Sequence, residues 1–124
     1  MIQIYKFGEV WLADLNPRIG TEAGKTRPVL ILQNQALLDA FHPSTVILPL
    51  TTKLVNNAEP LRIRLSAQGN LEKNSDIMID QIRSIDNKRL IKGPLLKCNK
   101  EFLFKVKLAL IDVLNLDDIC DEKL

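Results

Sequence analysis

Cysteine, histidine and aromatic residues are scarce in this chain: two cysteines, one histidine, one tryptophan, one tyrosine and four phenylalanines among 124 residues. Cys98 and Cys120 stand far apart without Cys-x-x-Cys spacing, which argues against a disulfide scaffold and against a thiolate zinc site. A single histidine, His42, excludes a His-rich metal cluster and a two-histidine acid/base pair. No metal and no cofactor are therefore expected. No apolar run approaches the roughly 18 residues of a membrane span, the longest being short stretches such as Val29–Leu32. The opening Met-Ile-Gln-Ile-Tyr-Lys-Phe-Gly-Glu lacks the basic-then-apolar layout of a secretory signal. The expectation is a protein of the reducing cytoplasm with no membrane role.

What the chain does have is an ordinary globular composition, 46% hydrophobic and 26% charged, which excludes disordered and low-complexity classes. Its length suits one compact domain over residues 1–124, with no internal repeat or linker to divide it. The net charge of +2 is too mild to specify a nucleic-acid partner. By segment the charge is less even. Arg83 to Lys107 holds eight basic residues against Asp86 and Glu101, a local +6. Asp112 to the end holds five acids against Lys123, a local −4. The basic stretch is either a surface for a polyanion or an ordinary solvated face of mixed sign.

The hydrophobic pattern predicts several short strands and a final helix. Phe7–Leu15 carries Val10, Leu12 and Ala13 around Trp11 and ends at Asn16-Pro17, as a strand followed by a turn would. Asn16–Thr26, with Pro17, Gly20 and Gly24 and no periodicity, reads as a long loop. Pro28–Gln33 is a continuous apolar run of buried-strand length. A short helix over Asn34–Ala40 precedes the turn at His42-Pro43. Thr45–Leu50 is a β-branched run in which Pro49 suggests a strand end or edge. Leu61–Leu65 alternates leucine and isoleucine with Arg62 and Arg64, a half-buried strand with its arginines outward. Ser75–Ile85 reads as one or two strands broken near Asp80. Asn99 is a good N-cap for a last helix, whose Leu103, Val106, Leu110 and Val113 recur at helical spacing. Together these elements predict an α+β, mostly β fold, a small barrel or sandwich with a C-terminal helix.

Three blocks, taken together, resemble the MazF/PemK family of toxin endoribonucleases from bacterial toxin–antitoxin pairs. The first runs from Gly8-Glu9-Val10-Trp11 through Asn16-Pro17 and Gly20-Thr21-Glu22 to Arg27-Pro28-Val29-Leu30. The second is Leu48-Pro49-Leu50-Thr51-Thr52, and the third is Asp80-Gln81-Ile82-Arg83-Ser84-Ile85-Asp86. The resemblance covers about the first ninety residues in order and, less specifically, the last helix. It implies an SH3-like small β-barrel, a homodimer, and metal-independent, sequence-specific cleavage of single-stranded RNA. It also implies a cognate antitoxin, with operator DNA reached only through the antitoxin complex. The family's catalytic pair falls on Arg27 and Thr52, with Thr51 as a second hydroxyl. RNA contacts fall on Asn16, Gly20, Glu22, Lys25, Thr51, Asp80 and Gln81. Two departures stand out. Met78 occupies a position where some relatives have an assisting arginine, and Pro17–Gly20 holds no histidine where certain members use one.

The chemistry fits these residue types. Metal-free RNA cleavage needs an activated 2′-hydroxyl, stabilisation of the phosphorane's added charge, and a proton for the 5′-oxygen. A guanidinium such as Arg27 matches phosphate oxygens with a planar fork of donors, and it is too basic to act as a base itself. Glu22 or Asp80 would be the carboxylates to orient it. Plainer roles stand beside these. Arg27 suits a strand-end salt bridge, Thr51 and Thr52 suit a turn, and Asp80 suits a strand end. The Asn16–Thr26 segment is either a substrate loop or a plain surface hairpin, Trp11 a core or dimer contact, and His42 a loop residue. From a different functional class, a non-catalytic small-barrel toxin that binds a protein such as DNA gyrase is the alternative. A degenerate member that only binds antitoxin is a third.

Overall fold

The computed structural model describes residues 4–117. Strand β1 (Glu9–Asp14) pairs antiparallel with β2 (Thr26–Ile31), setting Trp11 opposite Val29 and Ala13 opposite Arg27. Helix α1 (Gln35–Asp39) follows, started by Asn34, whose side chain accepts the Ala36 N–H. The chain returns as β3 (Ser44–Thr51) along β2, then forms β4 (Arg62–Leu65) and β5 (Ser75–Met78). A single 3-10 turn at Ile79–Gln81 separates β5 from β6 (Arg83–Asp86), so the predicted break falls at Asp80. β7 (Leu90–Lys97) closes against β1, and α2 (Lys100–Val113) ends the fold.

The strand order is β4-β5-β3-β2-β1-β7, with β6 paired to the first half of β3 while β5 pairs with its end. The SH3-like barrel is thus not closed: no ladder joins β4 to β7. The β4–β5 loop reaches across to β7, where the Asn70 N–H donates to the Leu95 carbonyl at 2.8 Å. Pro49 corrects a second expectation. It lies inside β3, between Ile47, which pairs with β6, and Leu50, which pairs with β5. On that side of β3 a residue without an N–H falls between two ladders, while on the other side Pro49 is paired with Val29 of β2.

Both faces of the sheet are covered, which explains why β1 to β3 read as near-continuous apolar runs. On one face Val10, Leu30, Leu48, Leu50, Ile63 and Ile77 pack beneath α2. Leu103, Val106 and Ala109 of the helix are buried there, with Leu110 and Val113 partly so. Full burial of each such leucine or valine contributes about 1.5–3 kcal/mol. Asn99 caps this helix as expected, its side-chain oxygen accepting the Phe102 N–H at 2.8 Å. Cys98 is a free thiol in the same core, and burial, slightly opposed by Lys97, pushes its pKa up to about 11. Cys120 lies outside the described residues. On the other face Trp11, Val29, Ile31, Ile47 and Ile85 gather with Leu15 and Ala23 of the long loop and Leu38 of α1. Trp11 is a core residue. Its indole N–H donates to buried Glu9 at 3.0 Å, Tyr5 meets its ring edge-on, and Gly93 leaves room for its face.

Candidate functional site

Arg27 enters the site from β2, immediately before Pro28, which holds the backbone at Arg27 extended. Its side chain is half-buried. Nε donates to the Gly24 carbonyl at 2.7 Å and one terminal nitrogen to the Leu50 carbonyl at 3.1 Å. Two backbone oxygens therefore orient the guanidinium; neither Glu22 nor Asp80 does, and among the described residues Arg27 forms no strand-end salt bridge. Three N–H donors remain for a ligand. Burial first, and then the positive charge of Arg18, lower the pKa of Arg27 below its ordinary value. A cation held there gains from an anion.

The β1–β2 loop forms one wall. Its base is tied by the Leu15 N–H to the Lys25 carbonyl, by the Lys25 N–H to the side chain of Asn16, and by Arg89 donating to the Asp14 and Asn16 carbonyls. Gln81 ties its middle: the Ala23 N–H donates to Oε1 at 3.1 Å and Nε2 donates to the Thr21 carbonyl at 3.2 Å. Gly24 is needed because a Cβ there would lie 2.5 Å from the Cβ of Arg18. The opposite wall comes from the end of β3. Thr51 is half-buried and its hydroxyl accepts the Lys53 N–H at 3.2 Å, whereas Thr52 is exposed.

These walls enclose a cleft of about 420 Å³ that brings together Arg27, Thr51, Thr52, Glu22, Lys25 and Gln81. Asn16, Gly20 and Asp80 do not line it. Asn16 is occupied in tying the loop, and Asp80 is exposed on the 3-10 turn. Gln81 lines the cleft, but its amide is engaged by loop backbone at both ends, which makes it an anchor rather than a free reader of bases. A second hollow of about 780 Å³ shares Pro28, Thr52 and Ser75 with the cleft and adds Lys73 and Lys92.

The cleft's cations are Arg18, Lys25, Arg27, Lys53 and Arg62, facing one carboxylate, Glu22. None of the eight basic residues from Arg83 to Lys107 is among them. Several of those are engaged elsewhere: Arg89 in the loop, Lys97 on the Phe7 carbonyl, Lys107 over the Phe7 ring. No motif in the sequence marks Arg18, Lys53 or Arg62 as site residues. The outward arginines of the alternating Leu61–Leu65 run were the available signal, because outward at that end of β4 means toward the cleft. Among the described residues no group of three His, Cys, Asp or Glu side chains is placed to hold a metal ion. Nor is any helix among them long and apolar enough to cross a membrane.

A small open, antiparallel β-sheet with a C-terminal helix is a fold seen in known proteins. The chain belongs to the family of PemK-like, MazF-like toxins of type II toxin–antitoxin systems, whose pattern matches residues 6–114. It is 34% identical over 116 residues to endoribonuclease EndoA of Bacillus subtilis (strain 168), covering 88% of this chain and 98% of that protein. The fold is similar to that of MazF from Deinococcus radiodurans, with a TM-score of 0.77 at 21% identity over 92% of this chain and 99% of that one. It is also similar to an endoribonuclease solved in complex with its cognate antitoxin from a mycobacterial species. There the TM-score is 0.68 at 20% identity, over 92% of this chain and 96% of that one.

Proposed function

We infer that this chain is the toxin of a type II toxin–antitoxin pair and acts as an endoribonuclease, cleaving single-stranded RNA by attack of a 2′-hydroxyl on the adjacent phosphate. The observation that best supports this is the cleft itself, five cations around one carboxylate, with Arg27 half-buried, oriented and, among the described residues, in no salt bridge. Phosphate is the ligand such a fork accepts. The 34% identical Bacillus subtilis relative is named for the same activity. In this reading Arg27 stabilises the charge that builds on the phosphorane, where a preorganised donor acts most strongly. Thr52 and Thr51 supply hydroxyls at the end of β3, and the fixed hydroxyl is that of Thr51, through the Lys53 N–H. Lys25 and Glu22, on the loop wall, contact the strand beside the scissile bond. The reaction needs no metal.

The same reading includes a homodimer and a cognate antitoxin whose acidic segment blocks the cleft, with operator DNA bound only through that complex. One experiment tests the central claim. Purified protein is incubated with long single-stranded RNA in excess chelator, and fragment ends are mapped. Cleavage should persist and leave a 2′,3′-cyclic phosphate and a 5′-hydroxyl, while an oligonucleotide with a 2′-deoxy at the scissile nucleotide resists. Normal cleavage of that analogue refutes 2′-hydroxyl attack. Intact RNA throughout, with folded protein, refutes the nuclease and leaves a toxin that works by binding.

A further inference from the structure

We propose that Arg62 is a second phosphate-binding residue of the cleft, gripping the RNA backbone next to the phosphate engaged by Arg27; this rests on the nuclease reading above. Three observations support it. Arg62 sits on β4 directly opposite Met78 of β5, and both side chains line the cleft of Arg27, Thr51 and Thr52. The intervening Ile63 and Leu65 are buried in the core, so the alternation of the strand turns Arg62 away from it. The guanidinium is held but not used up. One terminal nitrogen donates to the Lys53 carbonyl at 3.2 Å, just beyond Thr52, leaving four N–H donors.

Its neighbour Arg64 shows what a structural arginine looks like here. Arg64 donates to the buried Asp76 at 2.6 Å and to Asn56 at 3.0 Å, and Asp76 also accepts the Val55 N–H, so that trio fixes the loop after Thr52. Among the described residues Asp76 is within ion-pair distance of Arg64 and of no other cation. Among the described residues Arg62 forms no salt bridge, its charge acting on Asp76 only from beyond ion-pair distance, and the one acid lining the cleft it faces is the exposed Glu22. Two guanidiniums reaching one cleft from different strands, β2 and β4, suit successive phosphates of a single strand better than one point of attachment.

Arg62→Gln removes the charge and keeps a side-chain N–H donor near the Lys53 carbonyl; Arg62→Lys keeps the charge. The probe is an oligoribonucleotide spanning a cleavage site mapped with the wild-type protein, with one 2′-deoxy at the scissile nucleotide to block turnover. Binding is measured across a salt series, and kcat and KM are measured on the all-ribose version. Arg62→Gln should weaken binding and raise KM about tenfold, the scale of a charge-assisted hydrogen bond, with kcat within about threefold of wild type. The plot of log affinity against log salt should flatten by about 0.7 for the lost phosphate contact, and Arg62→Lys should restore that slope. A merely structural Arg62 would leave the slope unchanged. If wild type binds and cleaves while folded Arg62→Gln keeps the wild-type slope and KM, the role of Arg62 is refuted and the nuclease reading stands. If wild type neither binds nor cleaves single-stranded RNA, both fail together.

Discussion

Arg27→Ala is the substitution that bears most directly on the mechanism. It removes the two hydrogen bonds to the Gly24 and Leu50 carbonyls, each worth about 1 kcal/mol net. It also removes a half-buried cation that Arg18 repels, which offsets part of that loss. The stability cost should stay below about 2 kcal/mol, so the variant folds and its activity can be interpreted. Activity should fall far more. Loss of a preorganised transition-state donor costs about 100- to 1,000-fold in kcat, or about 2.7–4 kcal/mol of barrier. Arg27→Lys separates charge from geometry. A lysine ammonium cannot bridge both carbonyls and still present a fork to phosphate, so binding should persist while kcat drops by about two orders of magnitude. The assay is steady-state cleavage of a mapped oligoribonucleotide in chelator, with circular dichroism for the fold and the 2′-deoxy analogue for affinity. Cleavage by folded Arg27→Ala within about threefold of wild type would refute the assignment.

Thr51→Val should lose more activity than Thr52→Val, because the hydroxyl of Thr51 is the one fixed by the Lys53 N–H; equal kcat for both variants would sink the distinction. Gln81→Ala frees the Thr21 carbonyl and the Ala23 N–H, so hydrogen exchange of the β1–β2 loop should speed up and KM should rise; unchanged exchange would show that Gln81 does not anchor the loop. Burial raises the pKa of Asp76, but Arg64, the Val55 N–H and the charge of Arg62 together outweigh it and hold the group below the usual carboxylate range. Its contribution to stability is therefore complete above the unfolded pKa near 4 and lost as pH falls through the lower folded value. Asp76→Asn should cost about 1–3 kcal/mol at neutral pH and flatten the acid limb of the stability curve, and equal acid limbs would contradict the sign. Gly93→Ala places a methyl 2.4 Å from the Trp11 ring, so it should destabilise by about 1–3 kcal/mol and shift Trp11 fluorescence; an unaltered Tm and spectrum would count against that packing.

Much of the fold was legible along the chain because side-chain periodicity is a local property. Alternating Leu61–Leu65, the apolar Pro28–Gln33 run, the break at Asp80, and Asn99 ahead of the Leu103–Val113 stripe each report which residues need covering. Arg27 could be singled out because Pro28 and the long glycine-bearing loop mark the junction of strand and loop, and the family blocks name its neighbours. What the pattern could not supply is which outward faces meet. Pro49 looks like a strand terminus until β3 is seen to change partners from β6 to β5 beside it. The Arg83–Lys107 stretch is the densest run of positive charge in the chain, yet the cationic cleft is assembled from Arg18, Lys25, Arg27, Lys53 and Arg62. Those residues come from three separate parts of the sequence, 18–27, 53 and 62, and strand order, not charge density, brings them together. Carbonyls decide the rest. The Gly24 and Leu50 oxygens orient Arg27, and loop backbone occupies the amide of Gln81. Backbone groups have no letter in the sequence, so only the tertiary structure, by bringing distant main chain within hydrogen-bond reach, could decide which side chains are held and which remain free for substrate.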